Sequence, residues 1–173
     1  LTESSQEIDL AMSVRYDYHL EKSIVAMSTT LDKSLISDAR VYPMRSTNRA
    51  LLLGFAEMVL TQSLFRSKTF RIYIESTYLP YCTSNMMTWY RNKWKTKSGG
   101  IVKNHDVLLF ILSLTRASPK FVFEVTDDHS LLEVCNKKIK SILQSKRIVE
   151  HYVAQSLRRS YGTPDILQSI LNG

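Results

Sequence analysis

The stretch "STNRALLLGFAEMVLTQSLFRSKTFRIYIES", residues 46–76, changes its hydrophobic period once, and that change sets the fold class. In its first part Leu51, Leu52, Phe55, Val59 and Leu60 keep helical spacing, with Ser46 or Asn48 placed to cap the helix. Gly54 interrupts this helix with a poor helix former. The last part, "TFRIYIES", alternates strictly: Phe70, Ile72 and Ile74 face one way, Arg71, Tyr73 and Glu75 the other. That is the period of a half-buried strand. A short strand over Ala39–Met44 precedes the helix, with Pro43 restricting it to an edge or a bulge. The order is therefore strand, helix, strand.

Working outward, Met12, Val14, Tyr16, Tyr18 and Leu20 alternate with polar residues and predict another strand. The run "VLLFILSL", Val107 to Leu114, reads as a buried strand or a short helix, since period alone does not separate them. "KFVFEVT" after Pro119 is a clearer strand. In "DDHSLLEV", Ser130 and Glu133 have capping-box spacing, and an apolar stripe from Leu131 to Leu143 follows. Further helices are expected over 146–159 and 163–173. The fold class is α+β: a single domain over 1–173, with a mixed or antiparallel sheet, packed helices and a helical C-terminal third.

The formal net charge of +7 is unevenly spread. Residues 1–39 carry a net of −4, residues 40–103 a net of +9, and residues 104–173 a net of +2. A field concentrated this way favours phosphate-rich partners. No apolar run approaches the roughly 20 residues that a bilayer-spanning helix needs. The acidic, polar start is unlike a signal peptide. Cys82 and Cys135 lie among apolar and neutral residues and read as small buried hydrophobes in a reducing compartment. The setting expected is cytoplasmic or nuclear, and not secreted.

Within the basic third, "MMTWYRNKWKTKSGG" (86–100) places Arg91, Lys93, Lys95 and Lys97 among Trp89, Tyr90 and Trp94, and Lys103 follows. Whether helical from a Ser84 cap or extended, the segment separates a cationic surface from an aromatic one. The five cations are the candidate anion-binding residues, and Trp89, Tyr90 and Trp94 the aromatic anchors behind them. Base stacking by exposed aromatics is the alternative use. Gly99-Gly100 reads as a plain turn, since no phosphate-loop pattern surrounds it.

Little points to catalysis. The four histidines and two cysteines show no metal-ligand spacing. The Asp127-Asp128-His129 cluster reads as a helix N-terminus ahead of a metal site. No nucleophile elbow or dinucleotide fingerprint occurs. From these residues the chain is expected to have no catalytic residue, no metal, no cofactor and no small-molecule substrate, and so to be no enzyme.

The order of features resembles a known family. "ARVYPMRSTNRALLLGFAEMVLTQSLFRSKTFRIYIES" and "FVFEVTDDHSLLEVCNKKIKSIL" are similar to the two ends of the globular core of rhabdovirus matrix proteins, particularly those of plant-infecting members. The Pro-Pro-x-Tyr budding motif and a lysine-rich N-terminal tail are absent. The resemblance implies a non-enzymatic, self-associating structural protein of the virion that contacts nucleoprotein RNA and an anionic membrane surface. A cellular RNA-binding or ribonucleoprotein subunit is the alternative reading.

Overall fold

The computed structural model describes residues 7–61, 68–115 and 120–144. Its strands are β1 (Glu7–Asp17), β2 (Lys22–Leu31), β3 (Ser34–Tyr42), β4 (Thr69–Ile74) and β5 (Lys120–Val125). Helix α1 (Thr47–Phe55) separates β3 from β4, α2 (Tyr78–Arg91) and α3 (His105–Thr115) separate β4 from β5, and α4 (Ser130–Leu143) follows. The strands form one sheet in the order β3-β2-β1-β4-β5. β1, β2 and β3 pair antiparallel, while β4 pairs parallel with β1 and with β5. The expected α+β class with a mixed sheet and packed helices is what the chain adopts. The helices expected over 146–159 and 163–173 lie outside the described residues.

Both faces of the sheet are covered, and the side chains of the central strands divide between them. Leu10 and Met12 of β1, Val25 and Met27 of β2, and Phe70, Ile72 and Ile74 of β4 pack under α1, α2 and α3. On the opposite face Ala11, Ile24, Ala26, Ala39 and Val41 meet Leu131, Leu132, Cys135, Ile139 and Ile142 of α4. Three alanines on that face let α4 lie close to the sheet. Burying one of the larger aliphatic side chains contributes roughly 1.5–3 kcal/mol, so β4 alone is strongly anchored. Its alternation is as the sequence reads: Phe70, Ile72 and Ile74 are buried, and Arg71 and Tyr73 are not.

Helix α1 is capped by Ser46, whose hydroxyl accepts from the Arg49 N–H at 3.1 Å. It runs on as a π-helical turn over Ala56–Leu60, closed by the Thr61 N–H donating to the Ala56 carbonyl at 3.1 Å. Gly54 has a packing reason. A β-carbon there would sit 2.6 Å from Val25 Cγ1, so glycine lets α1 rest directly on β2. On the same helix Glu57 approaches the buried Arg40, which donates to Asp38 at 2.8 Å and lies 3.6 Å from Glu57. Burial raises the Glu57 carboxyl above its usual range, against the pull of Arg40.

Several local expectations change. The segment 107–114 is helix α3, its apolar residues at 107, 108, 111 and 112 turned to the core. The helix expected from Ser84 begins earlier, at Tyr78, and the Ser84 hydroxyl donates back to the Tyr81 carbonyl. The cap of α4 is His129, whose Nδ1 accepts from the Leu131 N–H at 3.1 Å, and not Ser130. Cys82 and Cys135 are buried free thiols, and burial pushes the Cys135 thiol up to about 11.

Candidate nucleic-acid interface

The sheet has a topological switch beside β1. From β1 the chain turns to β2 and β3 on one side, while β4 and β5 extend the sheet on the other. Crevices at the carboxyl ends of strands beside such a switch are the usual ligand sites of α/β sheets. Here β4 ends at Ile74, which pairs with Met12, while β1 continues to Asp17. The step leaves a cleft of about 310 Å³ lined by Met12, Ser13, Val14, Leu51, Glu75 and Asn136. β1, β4, α1 and α4 each contribute a side chain to the cleft or its rim.

The cleft's donors are limited. Among the described residues Glu75 is its one carboxylate; Ser13, Ser76 and Asn136 supply neutral oxygens and an amide, and Met12 and Leu51 supply hydrocarbon. Two-cation hydrolytic sites hold metals about 3.5–4 Å apart, and hard divalent cations need several oxygen ligands, mostly carboxylates. This donor set does not fit such a pair. Among the described residues no group of three His, Cys, Asp or Glu side chains is placed to hold a metal ion. Asp127 and Asp128 are exposed beside the α4 cap and join no such group.

From Glu75 and Ser76 the chain passes straight into α2, which leads to the basic segment. A helix of 14 residues spans about 20 Å, and the loop after it folds back along α2, so that Lys97 and Lys103 line a recess with Tyr78 and Tyr81 near the start of that helix. The segment 86–100 is neither one continuous helix nor extended. Helix α2 stops at Arg91, and Lys93 and Trp94 take left-handed backbone conformations, φ 56° and 60°, that turn the chain back. The Trp94 N–H donates to the Trp89 carbonyl at 2.7 Å and the Val102 N–H to the Trp94 carbonyl at 2.8 Å. Lys95 and Ile101 form a bridge between the arms of the loop, and Gly99, at φ 87°, makes its tip.

Arg91, Lys93, Lys95, Lys97 and Lys103 are all exposed, and none takes part in an ion pair among the described residues. Trp89 and Trp94 pack half-buried against the core beneath them. Tyr90 stays exposed, edge-on to Trp94 at 6.3 Å between ring centres. The loop is tied down at its root. Asn104, itself left-handed at φ 61°, donates to the Tyr78 hydroxyl at 2.8 Å and accepts from Arg49 at 3.3 Å. The Tyr78 phenol, pushed up to about 12 chiefly by burial, stays protonated.

No family profile and no curated protein matches the chain. Solved structures do. A foamy viral protease-reverse transcriptase in complex with dsDNA aligns at a TM-score of 0.57 and 15% identity, covering 78% of this chain and 91% of that one. The foamy viral protease-reverse transcriptase with an RNA/DNA hybrid aligns at 0.54 and 14%, covering 76% and 18%. The solution structure of the PFV RNase H domain aligns at 0.54 and 10%, covering 77% and 88%. The fold is RNase H-like. At these identities the likeness carries architecture and says nothing of individual residues.

This corrects the family expectation. The quoted strand–helix–strand and strand–turn–helix patches belong to an RNase H-like sheet, not to a rhabdovirus matrix core, because that sheet contains the same generic succession of elements. The reading as a structural, membrane-contacting assembly protein of a virion falls with it. So does the expectation that the chain is no enzyme, because the solved structures sharing its fold include an RNase H domain and a reverse transcriptase. The absence of a contiguous motif carries no weight in a fold whose cleft draws on four separate elements. What sequence reading missed was the cleft. Glu75 was legible only as the polar side of a strand; its position at that strand's carboxyl end was the available signal.

Proposed function

We propose that this chain is an RNase H-like domain that binds a nucleic-acid duplex, with the cleft beside Glu75 and the cationic loop 91–103 as two contacts on one substrate. The observation that carries this reading is the loop itself. Five exposed cations, without ion-pair partners among the described residues, are held on a braced turn beside α2. A rigid cationic ridge of this kind suits a phosphate backbone, since the ordering has been done before binding. Solved counterparts of the fold are described with dsDNA and with an RNA/DNA hybrid, which supports a duplex ligand over an anionic lipid surface.

The test compares nucleic-acid ligands directly. Fluorescence anisotropy with labelled RNA/DNA hybrid, double-stranded DNA and single-stranded RNA should give saturable binding, tighter for the duplexes than for the single strand. The absence of binding to either duplex at 50 mM salt contradicts the proposal. Resolving the strands of the bound hybrid after incubation reads out whether cleavage follows binding, and Glu75→Gln tests the cleft as a contact.

A further inference from the structure

A second recess lies between α2 and the basic loop, away from the sheet crevice. Its volume is about 490 Å³, and Tyr81, Asn85 and Trp89 of α2 face Thr96, Lys97 and Lys103 of the loop across it. Three properties point to a ligand. Its aromatic side is open: Tyr81 is 56% exposed, and Trp89 meets that ring edge-on, with centroids 5.5 Å apart and planes at 71°. Its charged side is cationic, since among the described residues two lysines and no carboxylate line the recess. It is also preformed. The loop wall is fixed by the Thr96 N–H donating to the Gly100 carbonyl at 2.7 Å, by the Gly100 N–H donating to Thr96 Oγ1 at 3.0 Å, and by the Lys95–Ile101 bridge.

A flat ring beside cations is how proteins hold a base with its phosphate. A tyrosine used only for packing would bury its face, and lysines used only for solubility need no aromatic opposite them. We propose that this recess binds one nucleotide, with the base on the Tyr81 face against Trp89, the Asn85 amide oxygen at the base's polar edge while its nitrogen donates to the Tyr81 carbonyl at 2.8 Å, and the phosphate on Lys97 and Lys103. The nucleotide is an unpaired residue at the end of a strand whose duplex lies on the basic loop, or a free nucleoside monophosphate; the chemistry recognised is the same. The inference rests on the proposed duplex binding only for the first of these sources.

The test uses the whole chain and three probes: a blunt RNA/DNA hybrid, the same hybrid with a four-nucleotide single-stranded tail, and a nucleoside monophosphate followed by tryptophan fluorescence. Base stacking of about 1–3 kcal/mol predicts that the tail tightens binding about tenfold. Tyr81→Ala should abolish that gain while leaving blunt-duplex affinity unchanged, because Tyr81 is an exposed side chain of an otherwise anchored helix. Quenching by the monophosphate that weakens in Lys97→Gln/Lys103→Gln, without a gain from the tail, assigns the recess to a free nucleotide. A tail that adds nothing together with no quenching overturns the proposal, and so does a gain that survives Tyr81→Ala. Failure of the blunt duplex to bind, with quenching intact, sinks the duplex reading and leaves the nucleotide site standing.

Discussion

Arg49 on α1 and Asp106 on α3 meet as a bidentate pair, Nη1 to Oδ1 at 2.9 Å and Nη2 to Oδ2 at 2.8 Å. The pair braces the foot of the basic loop, because Arg49 also reaches Asn104 and Asn104 reaches Tyr78 on α2. Three helices are thereby joined where the loop re-enters the core.

The Arg49 hydrogen bonds hold the Asp106 carboxyl below the usual carboxylate range, against a smaller opposing effect of burial. A depressed carboxylate stabilises the fold above its unfolded value, near 3.9, and that contribution is lost as pH falls through the folded value. Asp106→Asn should therefore lower stability at pH 7 by at most about 1 kcal/mol, since the pair is partly solvent-screened. Urea midpoints of the two proteins should converge as the pH falls below about 4. A difference that stays constant from pH 7 to pH 3 contradicts this account of the pair.

Gly54→Ala should destabilise the protein despite alanine's better helix propensity. The added carbon meets Val25 Cγ1 at 2.6 Å and Val25 Cβ at 3.0 Å, and overpacking of about 1–3 kcal/mol exceeds the roughly 1 kcal/mol gained in the helix. In a Val25→Ala background the same change should cost less than about 0.5 kcal/mol. Equal costs in the two backgrounds, measured by chemical denaturation, would show that α1 does not rest on β2 through this glycine.

Lys33→Gly should stabilise. Asp32 and Lys33 join β2 to β3 with φ 48° and 64°, both left-handed, as a two-residue hairpin turn requires. Glycine adopts that conformation without the side-chain penalty, so the melting temperature should rise by a few degrees, corresponding to about 0.5–1 kcal/mol. An unchanged or lower value would count against strain at this turn.

These residues also show where the sequence was readable. β4 was plain because one face is buried and the other polar, and α1 because Ser46 caps a run of leucines. β2 escaped notice because it is buried on both faces. Val25 and Met27 go to one core and Ile24 and Ala26 to the other, which erases the alternation. The β2–β3 hairpin was hidden by a turn containing no glycine or asparagine. The left-handed pair Lys93-Trp94 likewise broke a helix that the side-chain pattern alone continued. The cationic residues were legible as a cluster; the cleft was not, since Met12, Leu51, Glu75 and Asn136 are brought together only by the sheet's register.

The loop's role in duplex binding is the central claim, and a salt series tests it most directly. Anisotropy titrations of an RNA/DNA hybrid between 50 and 300 mM salt should give a linear fall of log K with log salt for the wild type. Lys93→Glu/Lys95→Glu, both exposed and outside the core, should bind more weakly and flatten that slope by about 2, one for each phosphate contact removed. A folded double variant with unchanged affinity and unchanged slope would contradict the account.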